Sequence, residues 1–259
     1  MPAGQDSRYN APFRSSIRVN MKTPRIYSAQ PLQAGASIEL TESAANHAGR
    51  VLRMNSGEPL VLFNGEGGAW QSQIESVTKK TVLVQIGIFQ EGDAQSPLRV
   101  ELGQTISRGE RMDYAIQKAT EAGVSDITPL FSERCEVRLN NERQEKRLKH
   151  WQQVAISACE QCGRNIVPVI HPPIRLEDWL ASRTTALNFV LHHCTEKKLE
   201  GYQRPDSVSL LIGPEGGLTE AEIVLAEARK FHPLALGPRV LRTETAPVVA
   251  LSLLNYLWG

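Results

Sequence analysis

Two apolar runs near the C-terminus end in glycine-rich turns, and together they restrict the fold more than anything else in the chain. The first is Leu210-Leu-Ile-Gly-Pro-Glu-Gly-Gly217, and the second is Leu234-Ala-Leu-Gly-Pro238. Thr219-Glu-Ala-Glu222 follows the first as a capping box, so the segment reads as strand, turn, helix. The second run predicts a strand over Leu234 to Leu236, then a polar loop from Arg239 to Thr245 and a last helix from about Glu244 to Trp258. Strands that alternate with helices make a largely parallel sheet, and ligands bind at the carboxyl edge of such sheets. Glycines at that edge let backbone groups approach a ligand closely. Read alone, the first turn is more readily a plain connection, and its spacing fits neither the P-loop nor the dinucleotide fingerprint. Read as loops on neighbouring strands, the two segments make one cleft.

The same alternation extends back to residue 99. Arg99 to Gln104 reads as a strand, and Met112, Ala115, Ile116, Ala119 and Ala122 recur at helical spacing up to Gly123, a natural helix stop. Val124 to Phe131 is a second strand. Leu148, Trp151, Val154, Ala155, Ala158, Cys159 and Cys162 mark a longer helix ended by Gly163, and Leu187 to Leu191 and Val208 to Ile212 are further strands. Residues 22–90 differ: strand-like runs at Pro59 to Phe63 and Ala69 to Ile88 break at Asn64-Gly65 and Lys79-Lys80, with one short helix starting at Thr41. The polar stretch Gln90 to Pro97 is the natural boundary between the two regions.

Composition narrows the class. A chain of 259 residues with 41% hydrophobic and 22% charged residues can bury a core without staples. Its formal net charge of +1 excludes a uniformly basic nucleic-acid binder, so any such site has to be a local patch. No apolar stretch is long enough to cross a bilayer and no signal peptide is evident, which predicts a cytoplasmic protein without a membrane partner. Residues 1–20 read as a disordered extension or as the product of a misplaced start codon. The four cysteines, Cys135, Cys159, Cys162 and Cys194, are too sparse for a disulfide scaffold. Cys159 and Cys162 form a lone C-x-x-C late in a helix, which favours packing over redox or metal chemistry, and no metal site is expected.

Leu210 to Gly217 and Leu236 to Ala246 resemble the cofactor motifs of the SPOUT methyltransferases, specifically those of the RsmE family, which methylates N3 of a uridine in 16S ribosomal RNA. The likeness continues through Pro24-Arg-Ile-Tyr27, Asn46 to Met54, Ser107-Arg-Gly-Glu110, Thr128 to Cys135 and Glu160 to Asn165. It implies an α/β methyltransferase domain with a mainly parallel sheet and a C-terminal trefoil knot, preceded by a small β-rich PUA-like RNA-binding domain. The implied boundaries are 1–20 for the extension, 21–92 for the PUA-like domain and 98–259 for the methyltransferase domain.

The resemblance also implies S-adenosylmethionine as methyl donor, 16S rRNA of the small ribosomal subunit as substrate, and a homodimer. Leu191, His192, Ile212, Gly213, Pro214, Gly216, Gly217, Leu236, Gly237, Val240, Leu241, Arg242, Thr243, Thr245 and Ala246 are the expected cofactor residues. Uracil N3 must lose a proton before it attacks, so Arg242 is expected to stabilise negative charge, with Glu244 or Glu215 as proton acceptor. A role for Glu244 in capping the last helix is equally compatible. Arg25, Arg50, Arg53, Arg108, Arg134 and Arg164 are the expected RNA contacts. The alternatives are a SPOUT enzyme with another target atom and a noncatalytic RNA-binding assembly factor.

Overall fold

The computed structural model describes residues 23–92, 96–192, 195, 199 and 201–259. The expected N-terminal extension, part of the 90–97 boundary and Cys194 lie outside the described residues.

The N-terminal region forms a five-stranded sheet from β1 (Arg25–Tyr27), β2 (Ser37–Glu39), β3 (Pro59–Phe63), β4 (Ala69–Val77) and β5 (Val82–Gln90), ordered β1-β3-β4-β5-β2. The expected break at Lys79-Lys80 is the β4–β5 hairpin, closed by Thr78 N–H to Thr81 O at 2.8 Å. Between β2 and β3 lies α1 (Glu42–Asn46), whose Thr41 N-cap accepts from Ala44 N–H as its sequence requires, and a π-helical turn follows over His47–Val51. Ile26, Leu40, Ala48, Leu60, Leu62, Ile74, Val84 and Ile86 are buried between the sheet and this helical arm.

The second region is a seven-stranded sheet in which every pairing is parallel. Its elements are β6 (Arg99–Thr105), α2 (Glu110–Glu121), β7 (Asp126–Phe131), α3 (Asn141–Cys162), β8 (Val169–Ile170), β9 (Ile174–Arg175), α4 (Leu176–Ala181), β10 (Leu187–Leu191), β11 (Ser207–Ile212), α5 (Glu220–Ala228), β12 (Phe231–Leu234) and α6 (Ala246–Trp258). Gly163 ends α3 with a left-handed φ of 90°, the conformation only glycine adopts freely. Pro247 sits in the first turn of α6, where a missing N–H breaks no helical bond.

Three expectations need correction. The last strand is Phe231–Leu234 rather than Leu234 to Leu236: its register against β10 ends at Leu191 opposite Leu234, and the chain then leaves the sheet. Pro233 is tolerated inside it because β12 is an edge strand. The last helix begins at Ala246 rather than Glu244, because a turn closed by Thr245 N–H to Arg242 O at 2.9 Å precedes it. Most consequentially, β11 and β12 are not neighbours. The order β12-β10-β11-β6-β7-β8 puts β10 between them.

No sequence signal pointed to α4, six residues long, which presses Trp179 against the sheet at Gly103. A Cβ at position 103 would lie 2.7 Å from the Trp179 ring.

Candidate active site

The strand order creates the cleft. From β10 the chain passes to β11 on one side, and from β11 it returns past β10 to β12 on the other, so the connections that leave the carboxyl ends of β10 and β11 run in opposite directions. Such a switch point leaves a crevice above the central strand. Leu191 and His192 at the end of β10 form its floor, with the β11 turn on one side and residues 235–246 on the other.

The β11 turn is tied down at both ends. Gly213 is enforced by close approach, since a Cβ there would come within 2.9 Å of Leu218 Cγ and 3.1 Å of its backbone nitrogen. Gly217, at φ +69°, donates to Pro214 O at 2.9 Å. Thr219 and Glu222 then form the expected capping box, and the other oxygen of buried Glu222 accepts Glu133 N–H at 2.8 Å, which ties the 132–136 segment to this turn. Arg134 donates from Nη1 to Gly216 O at 2.9 Å and reaches Leu218 O at 3.5 Å.

Gly237, at φ +111°, turns the second segment, and the buried Thr243 hydroxyl fastens it to the first by donating to Gly213 O at 2.7 Å. The side chains flanking Thr243 differ in environment. That of Arg242 is 79% exposed and that of Glu244 only 15%, with 4.0 Å between Nη1 and Oε1.

The resulting cavity of about 580 Å³ is lined by Leu191, His192, Ile212, Gly213, Pro214, Gly216, Gly217, Leu236, Gly237, Val240, Leu241, Arg242, Thr243 and Ala246, together with Glu215 and Glu244. Of the residues expected to hold a cofactor, Thr245 alone is not in the lining; it is the N-cap of α6. Arg111, Leu234, Ala235 and Arg239 line it without having been expected there. A second hollow, lined by Arg108, Gly109, Cys135 and Glu136 among others, shares Arg111, Arg134, Glu215 and Gly216 with the first.

Glu215 stands where the hollows meet. Burial opposes its charge, but its own backbone N–H, Arg111 Nη1 at 2.9 Å and Arg108 N–H at 3.3 Å outweigh that and hold the carboxyl below its usual range.

The arginines expected to contact RNA separate into groups. Arg50 and Arg53 are exposed on and just after the π-helical turn, with Arg53 at φ 55°. Arg108 is exposed and pairs with Glu136 at 2.8 Å. Arg25 instead donates to Asn165 Oδ1 and stacks on Phe63, and Arg164 donates to Thr120 O and Val124 O at 2.7 and 3.0 Å. Burial pushes both guanidinium groups below their ordinary pKa.

Among the described residues no group of three or more His, Cys, Asp or Glu could hold a metal ion, and no helix is long and apolar enough to cross a membrane. Burial pushes the Cys159 thiol up to about 12, so it is neutral near pH 7, whereas Cys162 is exposed.

Residues 94–255 match a family described as the RNA methyltransferase domain, and residues 40–87 match the RNA methyltransferase PUA domain. Ribosomal RNA small subunit methyltransferase E of Buchnera aphidicola (subspecies Acyrthosiphon pisum) is 34% identical over 249 residues, covering 95% of this chain and 98% of its own length. The Bacillus subtilis protein of that name is 27% identical over 237 residues, covering 88% and 93%. Among solved structures, a methyltransferase from Legionella pneumophila with bound SAM superposes with a TM-score of 0.89 at 44% identity, over 91% of this chain and 98% of that one. Ribosomal RNA small subunit methyltransferase E from Neisseria gonorrhoeae, bound to S-adenosyl methionine, superposes with a TM-score of 0.85 at 38% identity, over 92% and 98%.

Proposed function

Because the chain belongs to the RsmE family of small-subunit ribosomal RNA methyltransferases, we propose that it transfers a methyl group from S-adenosylmethionine to N3 of a uridine in 16S rRNA. The observation that carries this reading is the cleft at the ends of β10, β11 and β12, with the exposed Arg242 guanidinium and the sheltered Glu244 carboxylate in its lining.

The residues present fit the donor. A cavity of about 580 Å³ lies within the range typical of small-molecule sites. Leu191, Ile212, Leu236 and Leu241 offer apolar walls for a purine, and Gly213, Gly217 and Gly237 leave main-chain groups open to its polar edge. When bound, S-adenosylmethionine supplies an electrophilic methyl on a sulfonium.

The protein's own task is to make uracil N3 nucleophilic there. The exposed Arg242 guanidinium stabilises the negative charge left when the N3 proton departs. Glu244 is the better proton acceptor of the two candidates. Glu215 is committed to Arg111 and the Arg108 N–H, and a carboxyl held low in pKa is a weaker base. Glu215 and Arg111 instead brace the border of the two hollows.

For RNA, we assign contacts to Arg50, Arg53 and Arg108, with Arg25 and Arg164 as a brace between regions 21–92 and 98–259, since β1 thereby bonds to the segment after α3. The bond from Thr243 to Gly213 O supports a trefoil knot, because it seats the C-terminal segment against the β11 turn. Exposed Leu253, Tyr256 and Leu257 on α6 support a homodimer. The proposed place of work is the cytoplasm, where small subunits are the substrate.

The test incubates the protein with labelled S-adenosylmethionine and small ribosomal subunits that lack the modification, followed by nucleoside mass spectrometry. The expected product is 3-methyluridine. Methyl on any other atom overturns the assignment.

A further inference from the structure

Gln104 is absent from the lining of the cleft, yet the hydrogen bond that joins its two loops continues to this side chain. It is the next-to-last residue of β6, fully buried, in register between Ile212 of β11 and Pro129 of β7. Its Nε2 donates to Thr243 Oγ1 at 3.0 Å, and Thr243 Oγ1 donates onward to Gly213 O at 2.7 Å. The direction of this relay is fixed by chemistry. Gly213 O can only accept and Thr243 has a single hydroxyl proton, so that hydroxyl must itself accept from the amide NH₂.

The amide is a costly choice for packing alone. Its Oε1 is buried without a hydrogen-bond partner, and an orphaned buried polar atom loses its hydration with nothing in return. A methionine would fill a similar volume without that cost. What methionine cannot do is donate to Thr243 and thereby hold it in its acceptor role toward β6 and its donor role toward the β11 turn. Thr243 lies between Arg242 and Glu244, so whatever seats Thr243 also sets where the guanidinium and the carboxylate stand relative to Gly213.

We propose that Gln104 is a positioning residue for methyl transfer, acting through Thr243 to hold the Arg242–Glu244 segment in register with the β11 turn. The proposal rests on the reading of this cleft as the methyl-donor site.

The test compares full-length wild type with Gln104→Met, Thr243→Val, Thr243→Ser and the Gln104→Met/Thr243→Val double variant. Melting, S-adenosylmethionine affinity and single-turnover methylation of unmodified subunits at saturating donor are measured, with hydrogen exchange of the donor-free protein. Gln104→Met should melt close to wild type yet methylate ~10- to 100-fold more slowly, the scale expected for a displaced reacting group. Thr243→Ser, which keeps the hydroxyl, should recover most of the rate that Thr243→Val loses. The double variant should be no slower than the slower single, because both cut one relay. Wild-type turnover by Gln104→Met, or multiplied losses in the double variant, would overturn the proposal. Should Gln104→Met not fold, Thr243→Val decides alone, and an unchanged rate there is equally fatal. If wild type binds no donor, the reading of the cleft fails, and hydrogen exchange still judges the relay: faster exchange across both 213–217 and 241–245 in Gln104→Met supports it, and unchanged exchange refutes it.

Discussion

Arg134 separates what the fold implies from what its sequence context implies. The motif around it places it among RNA contacts, whereas the guanidinium donates to Gly216 O at 2.9 Å and reaches Leu218 O at 3.5 Å. If it serves the turn, Arg134→Ala acts on donor binding in the absence of RNA. A hydrogen bond involving a charged group is worth roughly 1.5–3 kcal/mol, but this one is exposed and water can replace the lost donor, so about 1 kcal/mol is the realistic ceiling. At about 1.4 kcal/mol per tenfold, that corresponds to at most about a 5-fold rise in the Kd for S-adenosylmethionine. The effect also depends on how far the turn leaves its binding-competent form once released, because apparent affinity scales with the population of that form. Calorimetry without RNA measures the rise directly. The salt dependence of RNA binding supplies the control, since loss of one phosphate contact lowers its slope by about one unit. An unchanged donor Kd together with that lower slope would refute the clamp and make Arg134 an RNA ligand.

Arg242→Ala should lower the single-turnover methylation rate by ~100-fold or more, the usual cost of removing a group that stabilises developing charge, and should leave melting unchanged because the side chain is exposed; a rate within a few-fold of wild type contradicts the assignment. Gly103→Ala forces its new methyl into the buried Trp179 ring, and overpacking of this kind costs about 1–3 kcal/mol, so calorimetric melting should fall by several degrees. Glu215 has a depressed pKa in the fold, so its contribution to stability is present above the ordinary glutamate range near pH ~4.3 and is lost as pH falls through its folded value. Glu215→Gln should therefore melt below wild type at neutral pH by less than about 1 kcal/mol, since the pair with Arg111 is partly exposed, and the difference should vanish in acid; a gap that persists there means the carboxylate is not the source.

What the sequence made legible depended on local rules. The helical period over Met112 to Ala122, the Thr219–Glu222 capping box and the glycine stop at Gly163 follow from neighbours within a few residues, and they appear where expected. The helix α4 carries its signal in tertiary contact: Leu176, Trp179 and Leu180 are buried, but six residues are too short to display a period. Arg111 looks in sequence like any other arginine on a helix, and only the approach of the β11 turn gives it Glu215 as a partner. Gln104 did leave a trace, as a long polar side chain in a strand that is otherwise almost wholly buried, a pattern that calls for a partner to be found. Arg25 and Arg164 lie in matched motifs as Arg50 does, and spacing cannot tell a guanidinium that braces two regions from one that faces solvent.

Strand order was the least legible feature, and it changes the reason the cleft exists. Adjacent Gly-Pro loops would form a site by touching each other across one strand boundary. With β10 between them, the loops face each other over Leu191 and His192, and the gap is the width of a strand rather than a seam. A gap of that width needs something to fix its far wall, because residues 235–245 have left the sheet after Leu234 and, among the described residues, no ladder bond holds them. The bond from Thr243 to Gly213 O supplies that constraint across the gap, and Gln104 anchors it to the next strand inward. The short Gly-Pro turns, the central β10 and the buried polar relay thus answer one geometric need: two loops that diverge by topology must be held at a constant separation before either can present a reactive group.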